Sequence, residues 1–166
     1  GEENKGWDYA KFLLGNERHG QARVGLSKAG LRRIRAQAAT IGEGNGRLID
    51  QPAFRHRLAE LEAEALALEM TLMRIMIEEE GSADGKPNPA TSILKIRGSE
   101  LLQATTELAM DMLGPAAIHA TDPTGLAGLD GLAAGPEAYF NLRKLSIYGG
   151  SNEVQRTIIA KSILGL

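Results

Sequence analysis

Residues 52–80 read PAFRHRLAELEAEALALEMTLMRIMIEEE, a stretch rich in Leu, Ala, Glu and Arg and free of glycine. Leu58, Leu61, Ala65, Leu68, Leu72 and Ile75 recur at three-four spacing, which lines one face of an α-helix. Asp50 stands at the expected N-cap position. Pro52 falls in the first turn, where its missing N–H costs nothing. The pattern predicts one long helix running to Glu80.

Other helical segments flank it. A short one is expected from Trp7 to Leu14, closed by Gly15. A second runs from near Glu17 to about Thr40, with Val24, Leu26, Leu31 and Ile34 among its apolar positions, and ends in the turn-rich IGEGNGR. After the loop GSADGKPNP, a fourth helix is expected from about Ala90 to Ile118, with Ile93, Leu94, Leu101, Leu108 and Met112 inward and Pro115 near its end. TDPTGLAGLDGLAAGP reads as irregular. A fifth segment spans Pro136 to Ile147 and stops at Gly149-Gly150, and a last helix runs from about Asn152 to Leu164. Three long helices and one broken one predict an all-α, up-down four-helix bundle.

Composition removes several classes of function. The 166 residues suffice for one domain with a real core. Lys plus Arg is 19 against 21 for Asp plus Glu, a net charge of −2, without the basic excess of a nucleic-acid binder. There is no cysteine, hence no disulfide, thiolate nucleophile or cysteine-based metal site. The histidines, His19, His56 and His119, show no ligand spacing, so no metal is expected. No apolar run approaches a membrane span and no secretion signal opens the chain, which sets a cytoplasmic protein as the expectation. Periodicity stops there, because helical bundles serve many functions.

The tail goes further. YGGSNEVQRTIIAKSILGL, residues 148–166, resembles the C-terminal signature of the acyl-CoA dehydrogenase family. GEENKGWDYAKFLLGNERHG, residues 1–20, is similar to the place where that family's β-domain hands over to its helical C-terminal domain. LKIRGSELLQATTELAMDMLGPAA, residues 94–117, resembles its penultimate long helix. The three stretches occur in family order along the chain. The resemblance implies a domain-sized piece of a longer flavoenzyme that carries an N-terminal helical domain and a β-domain besides this one.

It also implies a chemistry. Such enzymes contain FAD and oxidise an acyl-CoA thioester to the 2,3-enoyl-CoA. A carboxylate removes the α-proton, a hydride passes from the β-carbon to the flavin, and the electrons leave to an electron-transfer flavoprotein. The thioester oxygen needs hydrogen bonds as negative charge develops on it. Many members carry the catalytic glutamate at the position of Gly149. A minority place it at the start of the domain's long helix, beside an arginine, and that position here reads Asn16-Glu17-Arg18. Glu17 therefore matches the alternative base, with Arg18 supporting it. Gly149 retains only its backbone N–H for the thioester oxygen and frees space near the acyl chain. Two carboxylates aimed at one α-carbon would repel, so a small residue in one place suits a base in the other.

Tyr148 and Gly150 match the substrate side, and Ser151 and Glu153 match positions that contact the adenine-dinucleotide portion of FAD. Plainer readings stand beside these. Glu17 could be an ordinary acid at a helix start, Arg18 a solvated charge, Gly149-Gly150 a helix stop, Ser151 an N-cap, Glu153 a first-turn acid, Tyr148 core packing and Trp7 a domain-junction anchor. One departure concerns the cofactor. The R-K-x-F-G-type stretch that reaches a neighbouring subunit's flavin is absent, and GEGNGRLIDQPAFRHRLAE, residues 42–60, stands there instead. The resemblance thus leaves three readings: an acyl-CoA dehydrogenase, commonly a homo-dimer or tetramer; a half-site or non-catalytic subunit of a heteromeric one; and a flavin monooxygenase of the same fold.

Overall fold

In a computed structural model of the chain, the described residues are 1–16, 19–42, 46–81, 88–119 and 136–166. The fold is all-α. Among the described residues six helices appear in order: α1 (Gly6–Asn16), α2 (Val24–Ala38), α3 (Pro52–Glu80), α4 (Thr91–Leu113), α5 (Pro136–Leu142) and α6 (Asn152–Ser162). Short 3-10 turns lie at His19–Ala22, Leu48–Asp50, Gly114–His119 and Arg143–Ser146.

Helix α4 forms the middle of the bundle. Thr91, Ser92, Leu94, Lys95, Ile96, Gly98, Ser99, Leu101 and Leu102 are all buried in its first half, too many consecutive positions for a single face. Leu31 and Ile34 of α2 and Leu58, Leu61, Ala65, Leu68 and Ile75 of α3 join Leu94, Leu101, Leu108 and Met112 of α4 in the main core. Leu102, Leu142 and Leu145 make a second cluster, against which Leu26 packs. Arg143 clamps this second layer to α4: its Nη2 donates to Gln103 O and to Thr106 Oγ1, each at 2.8 Å. Gln103 Nε2 donates in return to Arg143 O at 3.0 Å.

Several boundaries differ from the sequence expectation. Helix α1 runs through Gly15 to Asn16, because an isolated glycine lowers helix propensity without ending a helix. The second segment is not continuous. A 3-10 turn at His19–Ala22 and a left-handed Arg23, at φ 48°, precede α2, which starts at Val24. Asp50 does not cap α3. The Arg47 guanidinium takes both of its oxygens, at 2.9 and 3.2 Å, and Gln51 holds the N-cap position without a side-chain bond. Helix α4 stops at Leu113, where Gly114 turns to φ 55°, one residue before Pro115. Ile93 is only half-buried, and α6 ends at Ser162. The irregular stretch expected at 121–135 lies outside the described residues.

The contact that positions the site is the crossing of α4 over the His19–Ala22 turn. A Cβ on Gly98 would overlap the Ala22 carbonyl and lie 2.8 Å from Ala22 C and Cα, so backbone meets backbone there. The other end of the turn is held by α3, with His19 Nε2 lying 2.5 Å from Glu79 Oε2.

Gly98→Ala is expected to destabilise the protein by about 1–3 kcal/mol, since neither backbone can give way. Gly25 of α2 is also helical but has nothing within 4 Å of its would-be Cβ. Gly25→Ala is expected to stabilise by about 0.5–1 kcal/mol. Urea unfolding of the two variants checks this, and equal effects would contradict the crossing.

Candidate active site

The site is built around the link between α5 and α6. After the Arg143–Ser146 turn, Tyr148 N–H donates to Lys144 O at 3.1 Å. Gly149 and Gly150 then take φ 69° and 89°, the left-handed region that side chains disfavour. Ser151 is extended and caps α6, its Oγ accepting from Val154 N–H at 3.4 Å. The glycine pair is thus both a hinge and a helix approach, and Ser151 is the expected N-cap.

Two clefts open beside Gly149. The smaller, of about 110 Å³, is lined by Gln21, Arg23, Lys95, Ser99, Leu145, Tyr148 and Gly149. The larger, of about 370 Å³, shares Gln21, Lys95 and Gly149 with it and adds Trp7, Gly150 and the apolar Val154 and Ile158. Gln21 sits where a side chain at position 149 would point: a Cβ there would lie 3.2 Å from Gln21 Nε2. Among the described residues no acceptor meets the Gly149 N–H. Tyr148 is tied to the start of α2 by Arg23, whose Nη2 donates to the phenol oxygen at 2.8 Å and whose guanidinium lies 6.0 Å from the ring centre. Arg23 is itself left-handed without being glycine, a strain that the surrounding contacts hold in place.

Below the turn lies a buried polar cluster. Lys95, Ser99 and Asn152 are 5%, 3% and 4% exposed. Lys95 Nζ donates to Asn152 Oδ1 at 2.8 Å, and Asn152 Nδ2 donates to Ser99 Oγ at 3.2 Å. Burial holds the Lys95 ammonium below the ordinary lysine value, against the opposing pull of Glu153. The Glu153 carboxyl is held below its ordinary value by its own backbone N–H, then by the Ser151 hydroxyl, with smaller help from Arg156 and Lys95.

The described residues therefore bring Tyr148, Gly149 and Gly150 to the clefts and set Ser151 at the N-cap of α6 and Glu153 in its first turn. Glu17 and Arg18 lie outside the described residues. Gln21, Arg23, Lys95 and Asn152 were not singled out from sequence. One signal for Lys95 was present: it shares a helical face with Gly98, Ser99 and Leu102, all buried. Among the described residues no group of three His, Asp or Glu side chains could hold a metal, and no helix is long and apolar enough to cross a membrane.

The family model described as acyl-CoA dehydrogenase, C-terminal domain, matches residues 4–164. The chain belongs to the acyl-CoA dehydrogenase family. It is 33% identical to acyl-CoA dehydrogenase FadE26 of Mycobacterium tuberculosis, over all of this chain and 41% of that protein. A chain of the ChsE4-ChsE5 complex from Mycobacterium tuberculosis is 32% identical, with a TM-score of 0.77 over all of this chain and 42% of its own length. Butyryl-CoA dehydrogenase from Megasphaera elsdenii shares the fold, with a TM-score of 0.75 at 20% identity, over 99% of this chain and 40% of its own. The chain thus spans about two fifths of the length of these acyl-CoA dehydrogenase relatives.

The buried cation predicts a pH dependence. A lysine whose folded value is depressed loses its proton in the folded state first, so the unfolded chain binds more protons between the two values. Wild type is therefore expected to gain stability relative to Lys95→Met as pH rises through that window towards 10.5. Paired denaturant titrations across alkaline pH measure the difference, and a flat or falling one contradicts the burial.

Proposed function

We propose that this chain acts as the C-terminal helical domain of a FAD-dependent acyl-CoA dehydrogenase whose catalytic base is Glu17. The observation that carries the proposal is the state of position 149. It has no side chain, a side chain there would point at Gln21, and it lines both clefts with its N–H meeting no acceptor among the described residues. A turn of that kind suits an oxyanion donor and cannot supply a base. The nearest sequence counterpart for a base is Glu17, four residues before Gln21.

In this reading Glu17 takes the α-proton, and the electron pair left on the α-carbon spreads into the thioester oxygen. The Gly149 N–H donates to that oxygen as it gains charge. Arg18 supports the base, and Tyr148 and Gly150 wall the acyl chain. FAD, held at its adenine-dinucleotide end beside Ser151 and Glu153, would supply the acceptor for the hydride that leaves the β-carbon as the double bond forms, and an electron-transfer flavoprotein would be the electrons' next acceptor. The first turn of α6 fits the adenine-dinucleotide portion of that cofactor. Glu153 offers an exposed carboxylate to ribose hydroxyls, and Val154 beside it is 53% exposed and apolar. A desolvated site moves a carboxylate towards the working pH, as a general base requires.

A heteromeric assembly is the second reading. It is supported by the missing R-K-x-F-G-type stretch; the α3 stripe of Leu66, Met70, Met73 and Ile77, exposed at helical spacing among the described residues, suits an assembly of either kind. Residues of that spacing form the seam of a helix pair.

Anaerobic mixing of the full-length flavoprotein with a panel of acyl-CoAs tests the proposal, wild type beside Glu17→Gln. Wild type is expected to bleach. The variant is expected to keep its flavin and to bleach at least about a thousandfold more slowly, the loss of a general base and more. Equal bleaching removes Glu17 from the mechanism. Purification without any flavin favours the half-site subunit.

A further inference from the structure

The strongest unassigned feature is the buried Lys95–Asn152–Ser99 cluster. A lysine almost never lies fully buried without a partner, because removing its charge from water is costly. Here it lies on the wall shared by both clefts, and among the described residues the acceptor it meets is Asn152 Oδ1, at 2.8 Å. The Asn152 carboxamide has one possible orientation in this setting. Lysine only donates, so Oδ1 must face Lys95. Ser99 Oγ lies 2.8 Å from Ile96 O and 3.3 Å from Asn152 Oδ1, and donation to the nearer Ile96 O leaves it to accept from Asn152 Nδ2 at 3.2 Å.

Asn152 is the first residue of α6 and follows directly on Gly149-Gly150-Ser151. The two glycines bring no side chain to anchor their own turn. Its anchors are therefore the flanking ones: Tyr148 through Arg23 on one side and Asn152 through Lys95 on the other. The Tyr148 anchor is solvent-exposed, whereas the Asn152 anchor is buried. A hydrogen bond from a charged donor in a buried place is the stronger of the two.

We propose that Lys95 is a positioning residue, which through Asn152 holds the Gly149–Gly150 turn so that the Gly149 N–H faces the cleft. Its consequence for catalysis rests on the dehydrogenase reading; its effect on the turn does not. Lys95 does not touch the reacting atoms in this account. It fixes the place of the group that does.

The test uses the full-length holoenzyme as wild type, Lys95→Met, Asn152→Leu, the double variant and Asn152→Asp. Peptide-level hydrogen exchange reads the turn, and anaerobic flavin reduction at saturating acyl-CoA reads the chemistry. Each single variant and the double are expected to slow reduction by the same factor, about tenfold, as coupled residues do. Exchange in the peptide spanning 149–153 is expected to quicken by about tenfold in the same three, with α3 peptides unchanged. KM for the acyl-CoA is expected to move less than the reduction rate. Asn152→Asp keeps an acceptor for the ammonium and is expected to retain most of the rate.

The double variant separates positioning from plain stability. Replacing both partners by apolar groups leaves neither unsatisfied, so its melting temperature is expected to return towards wild type. If reduction returns with it, Lys95 matters only for stability and the proposal is overturned. Unchanged exchange at the turn in Lys95→Met overturns it as well. Wild-type enzyme that no acyl-CoA reduces would sink the dehydrogenase reading, and the exchange measurement would still decide the role of Lys95.

Discussion

Helix α4 is enclosed on nearly every side, and the other elements take their places from it. Its buried positions include the neighbours Ser92 and Thr91, Lys95 and Ile96, Gly98 and Ser99, and Leu101 and Leu102. At about 100° per residue, such pairs reach around most of the cylinder. Helices α2 and α3 pack on one side through leucines and isoleucines. The α5 segment packs on another through Leu142, Leu145 and the Arg143 clamp. Helix α6 arrives with a polar hand, Asn152, and finds Lys95 and Ser99 waiting on the same helix.

This arrangement explains why the clefts lie where they do. Gly98 lets the His19–Ala22 turn ride directly on α4, which delivers Gln21 to Gly149. Lys95, about one turn earlier on the same helix, fixes the other side of the glycine pair through Asn152. A single rigid rod thus sets both walls of the site. Arg23, Gly149 and Gly150 all take left-handed backbone beside that site, which the two glycines adopt freely and Arg23 only under strain.

Much of this was readable in the sequence, and the failures have local causes. The α3 face from Leu58 to Ile75 follows from spacing alone, because packing against two neighbours selects one stripe. The Ser151 cap and the glycine hinge follow from residue type. Asp50 misled because an arginine three residues earlier competes for its oxygens. The break before α2 carried no signal, since arginine is not a residue that favours the left-handed region. Gln21 and Lys95 matter through contacts with Gly149 and Asn152, far away in the chain, and spacing within one helix says nothing of those. The glycine at position 149 was legible as the absence of a carboxylate. That its side-chain direction meets an amide needed coordinates.

In the proposed dehydrogenase reading, a thioester oxygen rests against the Gly149 N–H while a carboxylate from the start of the domain faces the α-carbon. The most direct measurement is a crystal structure of the holoenzyme with an acyl-CoA whose β-carbon is replaced by sulfur, so that no hydride can leave. The account predicts the thioester oxygen within about 3 Å of Gly149 N, a hydrogen-bond distance, and the Glu17 carboxylate over the α-carbon. An analogue bound with its thioester away from Gly149, or with some other side chain over the α-carbon, would contradict it.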